Sequence, residues 1–132
     1  MEEYDARMLS DPRTHILKKG GTILFALLDE EVVGTCALLR HGEYRELSKM
    51  AVAPDMRGLG VGSRLLQAVF KTAEAEGVTE VYLQTSSMLT DAVRLYRRHG
   101  FHGLDQLPFK TPRYCRESIC MVCSLADFRF DE

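Results

Sequence analysis

The sequence predicts one α/β (α+β) domain built around a mixed, mostly antiparallel sheet, and three observations carry that prediction. Short β-branched and apolar runs alternate with polar turns in the first half, a glycine-rich stretch opens a segment with apolar residues at helical spacing, and a second helical segment leads into a final apolar run. A chain of 132 residues with 45% hydrophobic content is long enough for one core and too short for two, and no repeat, low-complexity tract or linker divides residues 1–132.

Taken in order, residues 4 to 17 read as a weakly patterned helical region, broken at Asp11-Pro12 because proline disfavours helical geometry in the residue before it. Gly20-Gly21 ends that region. Thr22 to Leu28 and Val32 to Leu39 are apolar runs joined by the polar turn Asp29-Glu30-Glu31, which makes a hairpin. His41-Gly42 turns the chain again, and Tyr44 to Ala53 is a strand with Glu46, Ser48, Met50 and Val52 expected on one face. Pro54 closes it, since proline cannot donate to a sheet ladder. Val61, Leu65, Ala68, Val69, Thr72 and Ala73 fall at helical spacing up to Gly77. Glu80 to Thr85 is a short strand, and Leu89 to His99 a helix with Thr90 or Ser87 as its N-cap and Gly100 as its stop. Phe101 to Leu104 and Ser118 to Leu125 complete the sheet around a loop from Asp105 to Glu117. The simplest arrangement is an antiparallel meander joined to one β-α-β crossover.

Composition excludes several classes of function. The balance of 19 acidic and 17 basic residues, with Asp91, Glu74 and Glu76 lying among the basic ones, argues against nucleic acid or an anionic membrane as partner. The N-terminus Met1-Glu2-Glu3-Tyr4-Asp5 is acidic, and the apolar run Ile23 to Leu28 is far below the roughly twenty residues of a membrane span, so a soluble, cytoplasmic protein is expected. Cys36, Cys115, Cys120 and Cys123 are then expected as free thiols. Cys120 and Cys123 are three apart on a strand and point to opposite faces, a poor arrangement for a redox or zinc pair, and His41, His99 and His102 have no partner at ligand spacing, so no metal is assigned.

The chemistry is concentrated in Asp55-Met56-Arg57-Gly58-Leu59-Gly60-Val61-Gly62-Ser63, between a strand and a helix. Its three glycines let the backbone approach a ligand and adopt positive φ, and the helix that follows aims its free N–H groups and dipole at the same point. Arg57 adds a charge suited to a pyrophosphate. Tight strand-to-helix turns also use glycine for steric reasons alone. The spacing satisfies neither the dinucleotide fingerprint nor the nucleoside-triphosphate loop, and the preceding strand is too polar for the buried parallel strand of those folds.

Arg57-x-x-Gly60-x-Gly62, preceded by Lys49-Met50-Ala51-Val52-Ala53-Pro54 and followed by Leu65-Leu66, resembles the acyl-CoA motif of the GNAT N-acetyltransferase superfamily. Ala92-Val93-Arg94-Leu95-Tyr96-Arg97-Arg98-His99-Gly100-Phe101 is similar to that family's Ala-x-x-Leu-Tyr-x-x-x-Gly-Phe. The likeness covers roughly residues 20 to 125. It implies helices on both faces of the sheet and acetyl-CoA as co-substrate, its pyrophosphate held by Arg57, Gly58, Leu59, Gly60, Val61, Gly62 and Ser63 and its pantetheine arm paired with the backbone of Met50, Ala51 and Val52. The resemblance also implies Glu46 as general base and Tyr96 as general acid for the leaving thiolate. An exposed strand-end carboxylate and a buried packing aromatic are the plain readings of those two residues.

Two departures from the family pattern matter. Where many relatives carry an asparagine this chain has Leu89, so Ser86, Ser87 or Thr90 would have to supply that cofactor contact. The family's N-terminal strand and helix are absent or shortened, which leaves an exposed sheet edge or calls for a homodimer. The expected acceptor is a small-molecule amine, amino acid or peptide; Lys110, Arg113 and Arg116 against Glu117 in the final loop would suit a carboxylate on it, and a solvated loop is the plain reading of that balance. The alternative class is a non-catalytic acyl-CoA-binding sensor or interaction module.

Overall fold

The computed structural model describes residues 5–9, 21–112 and 117–130. Seven strands form one sheet in the order β1-β2-β3-β4-β5-β7-β6. These are β1 (Asp5–Leu9), β2 (Thr22–Leu28), β3 (Glu31–His41), β4 (Tyr44–Val52), β5 (Glu80–Ser86), β6 (His102–Leu104) and β7 (Ser118–Ser124), with α1 (Val61–Ala75) after β4 and α2 (Thr90–Arg98) after β5. Every neighbouring pair is antiparallel except β4 and β5, which are parallel because α1 carries the chain across between them.

The core lies on the α1 face of the sheet. Leu65, Leu66, Val69 and Phe70 of α1 are at most 1% exposed and pack with Leu24, Leu38, Leu47, Leu83 and Met121 from the strands. Each such burial is worth roughly 1.5–3 kcal/mol. Gly34 lets α1 sit close to β3, since a Cβ there would stand 2.7 Å from Val61 Cγ1. Among the described residues α2 joins the same core through Tyr96, whose ring lies 5.6 Å from Phe101.

Four expectations are corrected. The first segment is not helical where it is described: β1 pairs in register with β2, from Asp5 opposite Leu27 to Leu9 opposite Ile23, while residue 4 and residues 10–17 lie outside the described residues. The weak helical pattern lost to the open edge of β2, whose free N–H and C=O groups are satisfied by a ladder. β1 thus occupies the edge for which a second subunit was invoked.

The second correction concerns β4. Thr35 pairs with Ala51 but Ala37 pairs with Ser48, so β4 carries an extra residue at a bulge where Lys49 adopts φ 57°. The bulge reverses the alternation: Glu46, Ser48 and Ala51 share one face, whereas Val52 turns with Leu47 toward α1. Met50 and Val52 therefore do not continue the Glu46 face as strict alternation predicts. Third, α2 is capped by Leu89 with no side-chain hydrogen bond, rather than by Thr90 or Ser87. Fourth, Phe101 precedes β6, donating its amide to the Tyr96 carbonyl at 3.0 Å.

Candidate acyl-CoA and acceptor site

Strand β4 meets β5 at two register positions only, Glu46 with Tyr82 and Leu47 with Leu83. Beyond them β5 continues along β7 to Ser86, and β4 continues along β3 to Val52. Past Leu47 the two strands therefore share no ladder among the described residues, and a gap opens in the sheet beside the bulge. Ala51 is exposed and Met50 half-buried at this gap.

At the head of the gap the chain makes a short turn at Pro54–Met56 and enters α1. Gly58 and Gly60 adopt φ 80° and 89°, and a Cβ at either would meet nothing within 4 Å, so the turn needs glycine for its backbone angles and leaves open space above it. The third glycine has another role, because a Cβ on Gly62 would stand 2.8 Å from Leu95 Cδ2 where α1 packs on α2. The first bond of the helix runs from the Arg64 amide to the Gly60 carbonyl at 3.0 Å, so the amides of Val61, Gly62 and Ser63 precede the ladder and point out of the helix start. The exposed Arg57 donates through Nε to the Val52 carbonyl at 3.4 Å, which sets its guanidinium between the β4 gap and the turn. Leu59 is 45% exposed at the rim.

Ser63 differs from its expected role in one respect. Its hydroxyl is 2% exposed as part of the residue and engaged inside the protein, 2.8 Å from His99 Nε2 and accepting from Arg98 at 2.9 Å. Only its amide faces the helix start. The fully buried His99 is held in turn by the Arg129 carbonyl and stacks on Phe128, so this histidine, unpartnered on sequence grounds, is a structural link between α1, α2 and the C-terminal segment. The same link brings the Arg98 guanidinium to the first turn of α1.

Ser87 is exposed and its amide is spent on the Glu117 carbonyl at 2.9 Å, while Ser86 Oγ accepts from the Met88 amide at 3.1 Å. The loop before α2 is thus fixed by one bond of its own and one to the residue preceding β7. Tyr96 is 5% exposed and is the one fully buried residue of α2, with Leu95 and Ala92 only partly covered. It packs in the core as an aromatic and stands on the α1 side of the sheet, opposite Glu46.

Glu46 lies on the far face from α1, 3% exposed. Its Oε1 is 2.7 Å from His41 Nε2. The His41 ring stacks on Phe109 at 4.1 Å and 6°, and Tyr44 and Tyr82 close the cluster with centroids 6.0 and 5.9 Å from Phe109. Burial, and then the hydrogen bond to Glu80, push the Tyr82 phenol up to about 12. Phe109 also lines a cleft of about 1410 Å³ with Gln84, Arg97, Leu104, Lys110 and Cys120. Arg113 and Arg116 of the expected acceptor loop lie outside the described residues. His41 and Phe109 were not singled out from the sequence as site residues; the hairpin register, with His41 opposite Tyr44 and Leu39 opposite Glu46, was the signal that puts His41 diagonal to Glu46 on one face.

Among the described residues no three His, Cys, Asp or Glu side chains gather as a metal site, and no helix is long and apolar enough to cross a membrane. Cys120 and Cys123 do face opposite ways, pairing with Gln84 and Val81 respectively.

A sheet that parts beside a glycine-rich helix start offers an extended ligand a strand to pair with and an anion a helix N-terminus. The sequence pattern of the Acetyltransferase (GNAT) family matches residues 1–101, and the chain belongs to that family. It is 31% identical over 107 residues to an IAA acetyltransferase of Azospirillum brasilense, covering 80% of this chain and 64% of the relative. It is 32% identical over 100 residues to N-acetyltransferase 8B of Rattus norvegicus, covering 71% and 45% respectively. The chain therefore spans about half to two thirds of the length of these relatives. Among solved structures, a GNAT-family acetyltransferase from Staphylococcus aureus Mu50 superposes with TM-score 0.74 at 27% identity, covering 84% of this chain and 72% of that one. A GNAT-family acetyltransferase from Elizabethkingia anophelis with acetyl-CoA bound shares the fold with TM-score 0.74 at 19% identity, over 92% and 97% of the two chains.

Proposed function

We propose that this protein transfers an acetyl group from acetyl-CoA to a primary amine by direct attack. The observation that carries the reading is the gap between β4 and β5 beside the unladdered amides of Val61, Gly62 and Ser63, which offers an extended arm a strand to pair with and a diphosphate a helix N-terminus. Met50, Ala51 and Val52 would pair the pantetheine, and Arg57 with the Gly58–Ser63 turn would hold the pyrophosphate, joined by Arg98. The relatives' names as N-acetyltransferases, and the bound acetyl-CoA of the structural neighbour, support the co-substrate and the reaction class.

Chemically, an alkyl ammonium of pKa ~10.4 must lose a proton before it attacks the thioester, and the leaving thiolate must gain one. In this reading the base side of the proton transfer lies with Glu46 on one face of the sheet and the phenol of Tyr96 lies on the other. The acceptor is a small amine, amino acid or peptide entering from the cleft beside Phe109, where Arg97 and Lys110 suit a carboxylate on it. The unpaired thiols of Cys36, Cys120 and Cys123 suit a cytoplasmic setting.

Calorimetric titration with acetyl-CoA, followed by a thiol-release screen over amino acids, peptides, polyamines and aminoglycosides, tests the proposal. Saturable binding with amine-dependent thiol release is expected; absence of binding would sink it. The burial of Tyr96 in the core favours a second reading, an acyl-CoA-binding module without chemistry. Binding without release for any amine would select that module, and equal turnover in Tyr96→Phe would remove Tyr96 as the acid.

A further inference from the structure

We propose that His41, not the Glu46 carboxylate itself, takes the proton from the acceptor amine, with Glu46 as the positioning residue behind it; this rests on the acetyltransfer reading above. The Glu46 side chain is 4% exposed against 25% for His41, so a group arriving from solvent meets the imidazole first. An ionised carboxylate can only accept, so against it the 2.7 Å contact puts the ring hydrogen on Nε2 and leaves the lone pair on Nδ1. Stacking on Phe109 holds the ring plane and ties it to the 105–112 segment that lines the cleft. A buried carboxylate needs a partner, and an imidazolium formed during turnover is the partner with the strongest hold on it. The titratable groups around the ring are Glu46 and Tyr44 from β4 and Tyr82 from β5, with exposed Arg40, Glu43 and Lys110 beside them in the chain.

The step balances as follows. The acceptor ammonium gives one proton to His41 Nδ1. The amine lone pair then forms the C–N bond at the thioester carbonyl, and the C–S bond breaks with its electron pair on sulfur. The thiolate takes a proton from Tyr96, and the proton shed by the new amide nitrogen returns to Tyr96 through solvent. His41 releases its proton to solvent, so the products are the amide, the thiol and one proton.

The test measures thiol release from acetyl-CoA with lysine, phenylalanine, spermidine and kanamycin as acceptors, in the wild type, His41→Gln and Glu46→Gln, from about pH 6 to about pH 10. Both variants should bind CoA like the wild type in calorimetry, lose about 10²–10⁴-fold in kcat/KM near neutrality, and recover as pH approaches the amine's own pKa. His41→Phe, which keeps a ring on Phe109 but has no lone pair, should behave as His41→Gln does, and serves if the glutamine variant misfolds. A wild-type rate and pH profile in His41→Gln alongside a crippled Glu46→Gln would show the carboxylate acting alone and overturn the proposal. A loss that is the same at every pH would reduce His41 to packing and overturn it equally. If the wild type turns over none of the four amines, the acetyltransfer reading itself is what fails. In that event nitrogen NMR of the His41 ring decides the pairing: a hydrogen held on Nε2 in the wild type and no longer fixed there in Glu46→Gln upholds it, and a tautomer that the substitution leaves unchanged ends it.

Discussion

The turn at residues 57–63 and the cluster around Glu46 lie at the two ends of the β4 gap, and they are made of different material. The turn presents mostly backbone: two glycines at positive φ and three amides ahead of the helix ladder, with the exposed guanidinium of Arg57 and that of Arg98 beside them. The cluster presents side chains: a buried carboxylate, an imidazole, and the rings of Tyr44, Tyr82 and Phe109 drawn from two strands and a distant loop. A backbone site tolerates changes of side chain as long as its dihedral angles survive, whereas a side-chain cluster changes its chemistry with one atom. Under the proposed function, the first would take the part of the co-substrate that never changes, and the second the acceptor and the proton it must lose.

The sharpest way to separate the two regions is Glu46→Ala. It should lower turnover by about 10²–10⁴-fold while leaving CoA affinity as it is, read by thiol release and calorimetry on one preparation. Equal damage to both quantities would mean that the cluster and the turn are not independent. Gly60→Val attacks the other region. A branched side chain at φ 89° costs roughly 1–2 kcal/mol and should weaken CoA binding by about tenfold, seen as a lower melting temperature and a higher Kd.

Arg57→Ala sharpens the comparison more gently. The residue is exposed and bonded to one carbonyl, so stability should stay within about 0.5 kcal/mol, while CoA affinity falls several-fold, to about a fifth, and becomes less salt-dependent. An unchanged salt dependence would remove Arg57 from the anion site. The smallest effect concerns the core that supports both regions. Burial pushes the thiols of Cys36 and Cys123 from 9.0 up to about 12. A raised folded value means that their contribution to stability is fully present below about pH 9 and is lost as pH rises toward about 12. The melting temperature should decline through that window, and less steeply in Cys36→Ala.

Much of this was legible in the sequence because it depends on local chemistry. The helix from Val61 shows in its apolar spacing, the hairpin from Thr22 in its β-branched runs, and the turn in glycines that only particular dihedral angles require. Strand β1 was misread because residues 5–9 have no strong period of their own and take their conformation from the free edge of β2. The bulge at Lys49 was equally hidden, since nothing in Ser48-Lys49-Met50 marks a left-handed residue, and one extra residue there reverses the faces of Ala51 and Val52.

What the sequence determined by itself is the order of elements from Thr22 onward and the glycine-rich turn at the head of α1, because spacing along one strand-turn-helix unit is enough to aim three amides at one point. What only the tertiary structure decided is the company Glu46 keeps. His41, Tyr82 and Phe109 come to it through a hairpin register, a parallel crossover and a loop from the far end of the sheet. The physical reason is that a backbone site is specified by neighbours in sequence, while a side-chain site is specified by neighbours in space, which only the folded sheet assembles.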